Sequence, residues 1–429
     1  MLKKAVIIFA ALVVFVVAIP NFMDWNPYKP MLLKEIETRT GARISMEGTL
    51  SLSIFPTIKL TATQIGVKNI PGLPSTSIIS IEKLACVVKL WPLLSKQVVV
   101  DSFSIKGGTF RDKTADGNDI LLQGIGILGT APSLQGNVQA DVDVASIHYG
   151  PYEGSNFKTN VVFHDNKLTL SNLTCKAYEG DISGSVSFEN QKVTSTIKVD
   201  VNVAALPFAK GTPLKKGRLL AKSEKLNFSI HSDHVISTVS GDVSLDLRDG
   251  EVETIDVASL VQRIQHIKTL KDIQDLQNHL HTKAPLAFKH LQMQASLKQS
   301  QMHIKNLEFV SDFVTLNGKG NVNLPACLLN IFSTICFKDL KNVPPIPLMI
   351  EGTLDAPKFS LDQKRALEIF APMLVKNVTV PVIEGAKKQI RNKLKDMVES
   401  VVGTPANDNT QKKGPDLNPE KIIQGLFGR

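Results

Sequence analysis

Four residue patterns in this 429-residue chain have the letters of a chemical site, and each is judged by the neighbours its chemistry needs. Gly124-Ile-Gly126-Ile-Leu-Gly129 matches the G-x-G-x-x-G form of a dinucleotide site. That chemistry requires a helix immediately afterward, so that its N-terminus holds the pyrophosphate. Thr130-Ala131-Pro132-Ser133 follows instead, and the glycines read as a strand turn. Asp112 to Asp119 has the acid spacing of a calcium loop, but the position that needs a bidentate acid is Gln123, so a hydrophilic turn is expected. His279 and His281 are two apart on an expected helix, which splays their rings, and His231 and His234 flank Asp233 at an expected turn. No H-E-x-x-H, G-x-S-x-G or P-loop string occurs. The four cysteines, Cys86, Cys175, Cys327 and Cys336, form no C-x-x-C pair. Buried thiols are expected of them rather than a disulfide framework, Cys327 and Cys336 lying in an apolar run. The sequence nominates no catalytic residue, cofactor or metal, and no enzyme is expected.

Composition narrows the partners. Hydrophobic residues make up 43% and charged residues 21%, a globular balance with a mean hydropathy of +0.04. The net charge is +9, and residues 363–429 alone hold 12 basic and 7 acidic residues. A basic end suits anionic headgroups or nucleic acid. With only two tryptophans, four tyrosines and no aromatic–basic interleaving, nucleic acid is not expected.

The elements that would position any site begin with an export signal. Lys3 and Lys4 precede fifteen uncharged apolar residues, Ala5 to Ile19. Flanking lysines keep the start in the cytoplasm and send the rest across. An uncleaved single-span anchor over 1–23 is expected, with a cleaved signal peptide as its alternative. After a short helix over Met31–Thr40 stopped by Gly41, the apolar period falls to two: Ile44 and Met46, then Leu50, Leu52 and Ile54, then Ile58, Leu60 and Ala62. The same alternation returns at Phe103 and Ile105, Leu168 and Leu170, Val243, Leu245 and Leu247, and Val314 and Leu316. A mainly β, largely antiparallel, sheet-dominated body with a few amphipathic helices is the expected fold.

A helical stripe from Val257 to Leu280 interrupts the strands, with Asp256 as N-cap and Pro285 as its stop. Near the end, Ile390, Leu394, Met397 and Val401 share a helical face while Lys387, Lys388, Arg391 and Lys395 lie elsewhere. Such a helix suits a membrane surface, or a packed helix with a solvated charged face. The expected regions are 1–23 anchor, 24–250 and 286–362 β-rich, 251–285 helix, 363–402 basic helices and 403–429 flexible tail.

Several stretches resemble the AsmA family. They are Asp24-Trp25-Asn-Pro-Tyr-Lys-Pro30, Thr40-Gly41-Ala-Arg-Ile44, Glu47-Gly48 and Ser53-Ile-Phe55-Pro56, then Leu90-Trp91-Pro92. Later come Leu245-x-Leu247-x-Asp249-Gly250, Leu316-x-Gly318-x-Gly320 and Ile350-Glu-Gly352-Thr-Leu-Asp-Ala-Pro357. The resemblance implies a Gram-negative inner-membrane protein with its bulk in the periplasm, acting in outer-membrane biogenesis. It also implies an elongated, curved, open groove-like sheet with phospholipid or lipopolysaccharide as partner, and Leu50, Leu52, Ile54, Leu245 and Leu247 are candidate lipid-facing residues. A regulator that binds outer-membrane assembly proteins without carrying lipid is the alternative.

Overall fold

Alternation of Val, Ile and Leu with Thr, Ser, Lys and Asp dictates half-buried strands, because successive side chains leave a pleated strand on opposite faces. A computed structural model describes residues 23–54, 57–89, 92, 99–114, 117–130, 137–207, 212–230, 235–265, 282–338, 343–354, 356–362, 365, 366, 368 and 369. Among the described residues it is mainly β, with nineteen strands in one large open sheet and few helices. The expected basic helix with Lys387, Lys388, Arg391 and Lys395, the tail, and the anchor with Lys3, Lys4, Ala5 and Ile19 lie outside the described residues. Among the described residues no helix is long and apolar enough to cross a membrane.

The chain divides into two compact units, Met1–Pro207 with Leu219–Val243 and Phe208–Arg218 with Ser244–Arg429. The first opens with a 3-10 turn, Asn26–Tyr28, and helix α1 (Lys29–Thr40). Gly41 ends α1 in the left-handed conformation at φ 71°, with its N–H donated to the Glu37 carbonyl. This is a common helix stop that a side chain would disfavour. Strands β1 (Arg43–Met46) and β2 (Leu50–Ser53) both pair with β3 (Ile58–Lys68). From there the sheet is an antiparallel meander through β4 (Ile78–Val88), β5 (Val100–Lys113), β6 (Asp119–Thr130) and β7 (Val138–Tyr149). It continues through β8 (Tyr152–His164), β9 (Lys167–Ala177), β10 (Gly180–Glu189) and β11 (Lys192–Asn202). Strands β12 (Leu214–Ser229) and β13 (Ser240–Ile255), with the short helix α2 (Val235–Thr238) between them, contribute to both units.

In the second unit Asp256 caps helix α3 (Val257–Ile264), accepting from the Ser259 amide at 3.0 Å and its hydroxyl at 2.6 Å. The expected N-cap is thus in place. The expected stop is not: Pro285 lies inside β14 (Lys283–Lys298), near its start, where the ladder tolerates a residue without an N–H. Strands β15 (Gln301–Ser311), β16 (Val314–Asn323), β17 (Leu328–Phe337), β18 (Ile346–Thr353) and β19 (Pro357–Leu361) complete an antiparallel meander.

A line of irregularities crosses the first unit at one level. Gln64 on β3, Gly107 on β5, Gly124 on β6, Asn156 on β8 and Asn172 on β9 all have positive φ, between 51° and 66°. Register shifts fall beside them on β5, β6, β8 and β9. Each extra residue bends its strand and raises the local twist. Gly124, first of the three glycines with the nucleotide-site spacing, is therefore a bulge residue within β6.

The acidic stretch also differs from expectation. Asp112 is buried near the end of β5, and beyond it the Thr114 amide donates to the Asn118 carbonyl and the Gly117 amide to the Thr114 carbonyl. Its carboxylate accepts from Thr76 Oγ1 at 2.6 Å, the Lys113 amide at 2.7 Å and Ser77 Oγ at 2.9 Å, pinning the β3–β4 loop to β5. The Thr76 hydrogen bond, helped by Lys113 and Ser77, holds this carboxyl below its ordinary value although burial pushes the other way.

Two outcomes are expected. Gly124→Val forces a β-branched residue to positive φ and places a Cβ 2.6 Å from that of Ala145. Chemical denaturation should show a loss of roughly 1–3 kcal/mol. Because the folded-state pKa of Asp112 is depressed, its contribution is present above the ordinary aspartate value and lost as pH falls through the lower folded value. Asp112→Ala should therefore melt below the parent at pH 7, with the gap closing below about pH 4.

Candidate functional site

Antiparallel pairing puts directly opposed residues on the same face, so the register identifies which side chains share a surface. One row crosses ten strands of the first unit. It starts as Leu52, Leu60, Cys86 and Phe103 on β2 to β5. Gly129 and Ala140 continue it, followed by Val161, Leu170 and Val186, and it ends at Ser195 on β11. Two residues along the strands a parallel row runs Leu50, Ala62, Leu84, Ile105, Ile127, Val142. Beyond the bulge line a third holds Met46, Ile65, Ile81, Gly108 and Ile125.

The reverse face is polar. Its corresponding row reads Ser51, Thr61, Ala85, Ser104, Leu128, Asp141 and Asn160. There Asn160 donates to Asp141 at 2.6 Å and Asn172 to Asn160 at 2.8 Å, a solvated ladder of side chains. Ala85, 7% exposed, and Leu128, 63% exposed, are its apolar members.

Burial separates the two units. In the first, the apolar row is half-buried at Leu60, Phe103, Val161, Leu170 and Val186. Leu50, Ala62 and Ile65 are 4–6% exposed beneath Trp25 and Leu32 of the lead segment, and Val144 on β7 and Thr159 on β8 are 5% and 4% exposed. That segment is latched to the sheet margin, with the Leu50 amide donating to Asn26 Oδ1 at 3.1 Å and Lys29 Nζ donating to the Gly48 carbonyl. In the second unit the equivalent row Phe309, Leu316, Ile335, Ile346 is 9%, 8%, 3% and 1% exposed. The α3 residues Val257, Leu260 and Ile264 are buried as well. This is an ordinary packed core.

The expected lipid-facing residues fall on both sides of that division. Leu52 is half-buried in the open row, Ile54 is half-buried just beyond β2, and Leu50 lies under the lead segment. Leu245 is half-buried and Leu247 only 3% exposed, both on the β13 portion within the second unit. The sequence reading passed over the rows on β6 to β8, although Val138, Ala140, Val142 and Val144 alternate cleanly with polar residues.

Titratable groups are dispersed. Among the described residues, no group of three or more His, Cys, Asp or Glu is placed to hold a metal. All four cysteines are free. Burial pushes up the Cys86 thiol, and it pushes up Cys175 against an opposing hydrogen bond to the Ser155 carbonyl. Cys327 departs from the expected burial: it is exposed in the β16–β17 turn at φ 51°. Tyr178, also raised by burial, accepts from the Glu153 amide at 3.2 Å. The Lys289–Asp312 pair at 2.8 Å raises the lysine and lowers the aspartate, and both side chains are exposed. What the first unit offers is a surface: apolar rows on one face and hydrogen-bonding side chains on the other.

Comparison with known proteins adds one match. The AsmA family model matches residues 1–124, which take in the lead helix, β1 to β5 and the start of β6 up to its bulge. No curated protein and no solved structure matches the chain. The matched stretch includes the opening features that resemble this family, from Asp24-Trp25 through Gly48. Over residues 1–124 the chain is similar to the AsmA family.

Proposed function

We propose that this protein acts in envelope and outer-membrane biogenesis of a Gram-negative cell by holding lipid acyl chains against the apolar face of its first unit, without catalysis. The Ala5–Ile19 segment anchors it in the inner membrane, the sheet lies in the periplasm, and the basic 386–402 segment rests on a lipid surface. The family-model match over residues 1–124 supports the setting. One observation carries the acyl-chain reading: apolar rows in register remain half-open in the first unit while the matching rows of the second are closed. Contiguous apolar surface on a soluble body marks a binding surface. Each methylene that leaves water there gains roughly 0.8 kcal/mol.

The test is native mass spectrometry, with lipid extraction, on the full chain purified in mild detergent. Phospholipid or lipopolysaccharide should accompany the parent protein. It should be lost from the double variant Ile127→Asp, Val161→Asp, and retained in Thr196→Asp, which alters β11 on the polar face. Equal lipid in the parent and the folded double variant would sink the acyl-chain reading and favour a protein-binding regulator. The burial contrast also predicts stability. Leu247→Ala should cost roughly 2–5 kcal/mol, and Val161→Ala roughly 1 kcal/mol, measured by chemical denaturation.

A further inference from the structure

Three of the chain's four tyrosines meet at one end of the first unit's strands. Tyr149 ends β7 and Tyr152 opens β8, with Gly150-Pro151 turning between them. The register pairs the two residues directly, so both rings leave the same face. The rings stack with centroids 6.3 Å apart and planes 21° apart, and the residues are 43% and 41% exposed. Tyr178 stands in the β9–β10 turn and reaches back toward this pair, its hydroxyl accepting from the Glu153 amide at 3.2 Å. Next to it Glu179 Oε2 accepts from Asn202 Nδ2 at 2.6 Å, and the Asn202 amide donates to the Tyr178 carbonyl at 2.9 Å.

These groups follow strand order from β7 to β11: the ring pair, Tyr178, Glu179, then Asn202. Four strand spacings make the line about 19 Å long. Its internal hydrogen bonds fix the turn before any ligand arrives, which lowers the cost of binding. An exposed tyrosine offers an apolar ring face with a wet hydroxyl edge. Among the described residues at this end of β7 to β11, no exposed Leu, Ile, Val, Phe or Met accompanies the two rings. The core of a protein interface draws on such aliphatic surface. A sugar does not: its C–H face stacks on an aromatic ring while its hydroxyls bond to a carboxylate and an amide. A line of this length suits a polymer of sugars rather than a single one.

We propose that Tyr149, Tyr152 and Tyr178, with Glu179 and Asn202, bind a linear glycan strand of N-acetylated sugars, the polymer of the cell wall. The wall as source rests on the periplasmic setting proposed above, whereas the site is independent of the acyl-chain reading. The ring pair supplies the stacking faces, and Glu179 and Asn202 supply the acceptor and donor for hydroxyl and N-acetyl groups.

The experiment sediments the full chain, in mild detergent, with cell-wall sacculi stripped of protein, and adds excess tetra-N-acetylchitotetraose as soluble competitor. The parent should pellet and the competitor should release it. The double variant Tyr149→Ala, Tyr152→Ala should bind about tenfold more weakly, and Tyr149→Phe, Tyr152→Phe, which keeps both rings, should stay within about threefold of the parent. None of these substitutions alters charge, so adhesion of a +9 chain to an anionic wall is the same in all of them. Tyr149→Leu, Tyr152→Leu replaces the alanine pair if the latter's thermal melt departs from that of the parent, with the same loss expected because leucine has no ring. Equal pelleting of the parent and a folded ringless variant, or no release by the competitor, overturns the glycan site. Pelleting only with sacculi that keep their attached protein also overturns it and gives the surface to a protein partner. Protease accessibility in spheroplasts tests the setting separately: a chain protected there overturns the wall as source even where the tetrasaccharide binds.

Discussion

Everything in the first unit depends on keeping one face apolar across ten paired strands. Side chains alternate with a period of two, so a slip of one residue would send a strand's Val, Ile and Leu set to the polar side. A bulge has the same effect on every residue beyond it. An isolated bulge would set the two halves of a strand at odds with their neighbours. The irregularities at Gln64, Gly107, Gly124, Asn156 and Asn172 avoid this by falling at one level. The rows Leu50–Val142 and Met46–Ile125 on either side of that line stay on the same face. Residue choice follows: glycine or asparagine, which tolerate positive φ, occupies four of those five positions.

The same strand chemistry has two outcomes in one chain. The row from β15 to β18 is buried almost completely, and the first row from β2 to β10 is half-buried at Leu60, Phe103, Val161, Leu170 and Val186. Alternation fixes which face is apolar but is silent on whether a second layer covers it. A closed row stabilises the fold, and an open row leaves apolar surface for something else to cover. The lead segment shows that this surface accepts such cover, since Trp25 and Leu32 pack on it and bring Leu50, Ala62 and Ile65 below 7% exposure.

Much of the architecture was legible in the residues. The helix ending at Gly41, the strands around Leu50 and Leu60, and the Asp256 cap each carry a local signal of turn, period or cap. Several hairpins were not. The turns Tyr178-Glu179, Asn190-Gln191 and Gln299-Ser300 have both central residues at positive φ, the two-residue geometry that normally advertises itself with Asn-Gly or Asp-Gly. Without glycine, these sequences give no turn signal, and tertiary pairing imposes the conformation. Asp112 was misread for a related reason: an acid beside a turn looks solvated until Thr76 and Ser77, 36 and 35 positions away, supply its hydrogen bonds. The candidate surface was legible only as alternation. Leu52 and Leu247 carry the same pattern, and burial alone distinguishes the half-open row from the packed core.

From β3 to β11, and again from β14 to β19, each strand pairs with the one made just before it, often across a two-residue turn. Sequence separations between partners are accordingly short, and little loop entropy is lost as each strand is added. The sheet can therefore grow in the order the chain is delivered, each new strand docking on a finished edge. A chain emerging end-first through a narrow pore needs no distant partner to begin folding, so assembly keeps pace with its arrival.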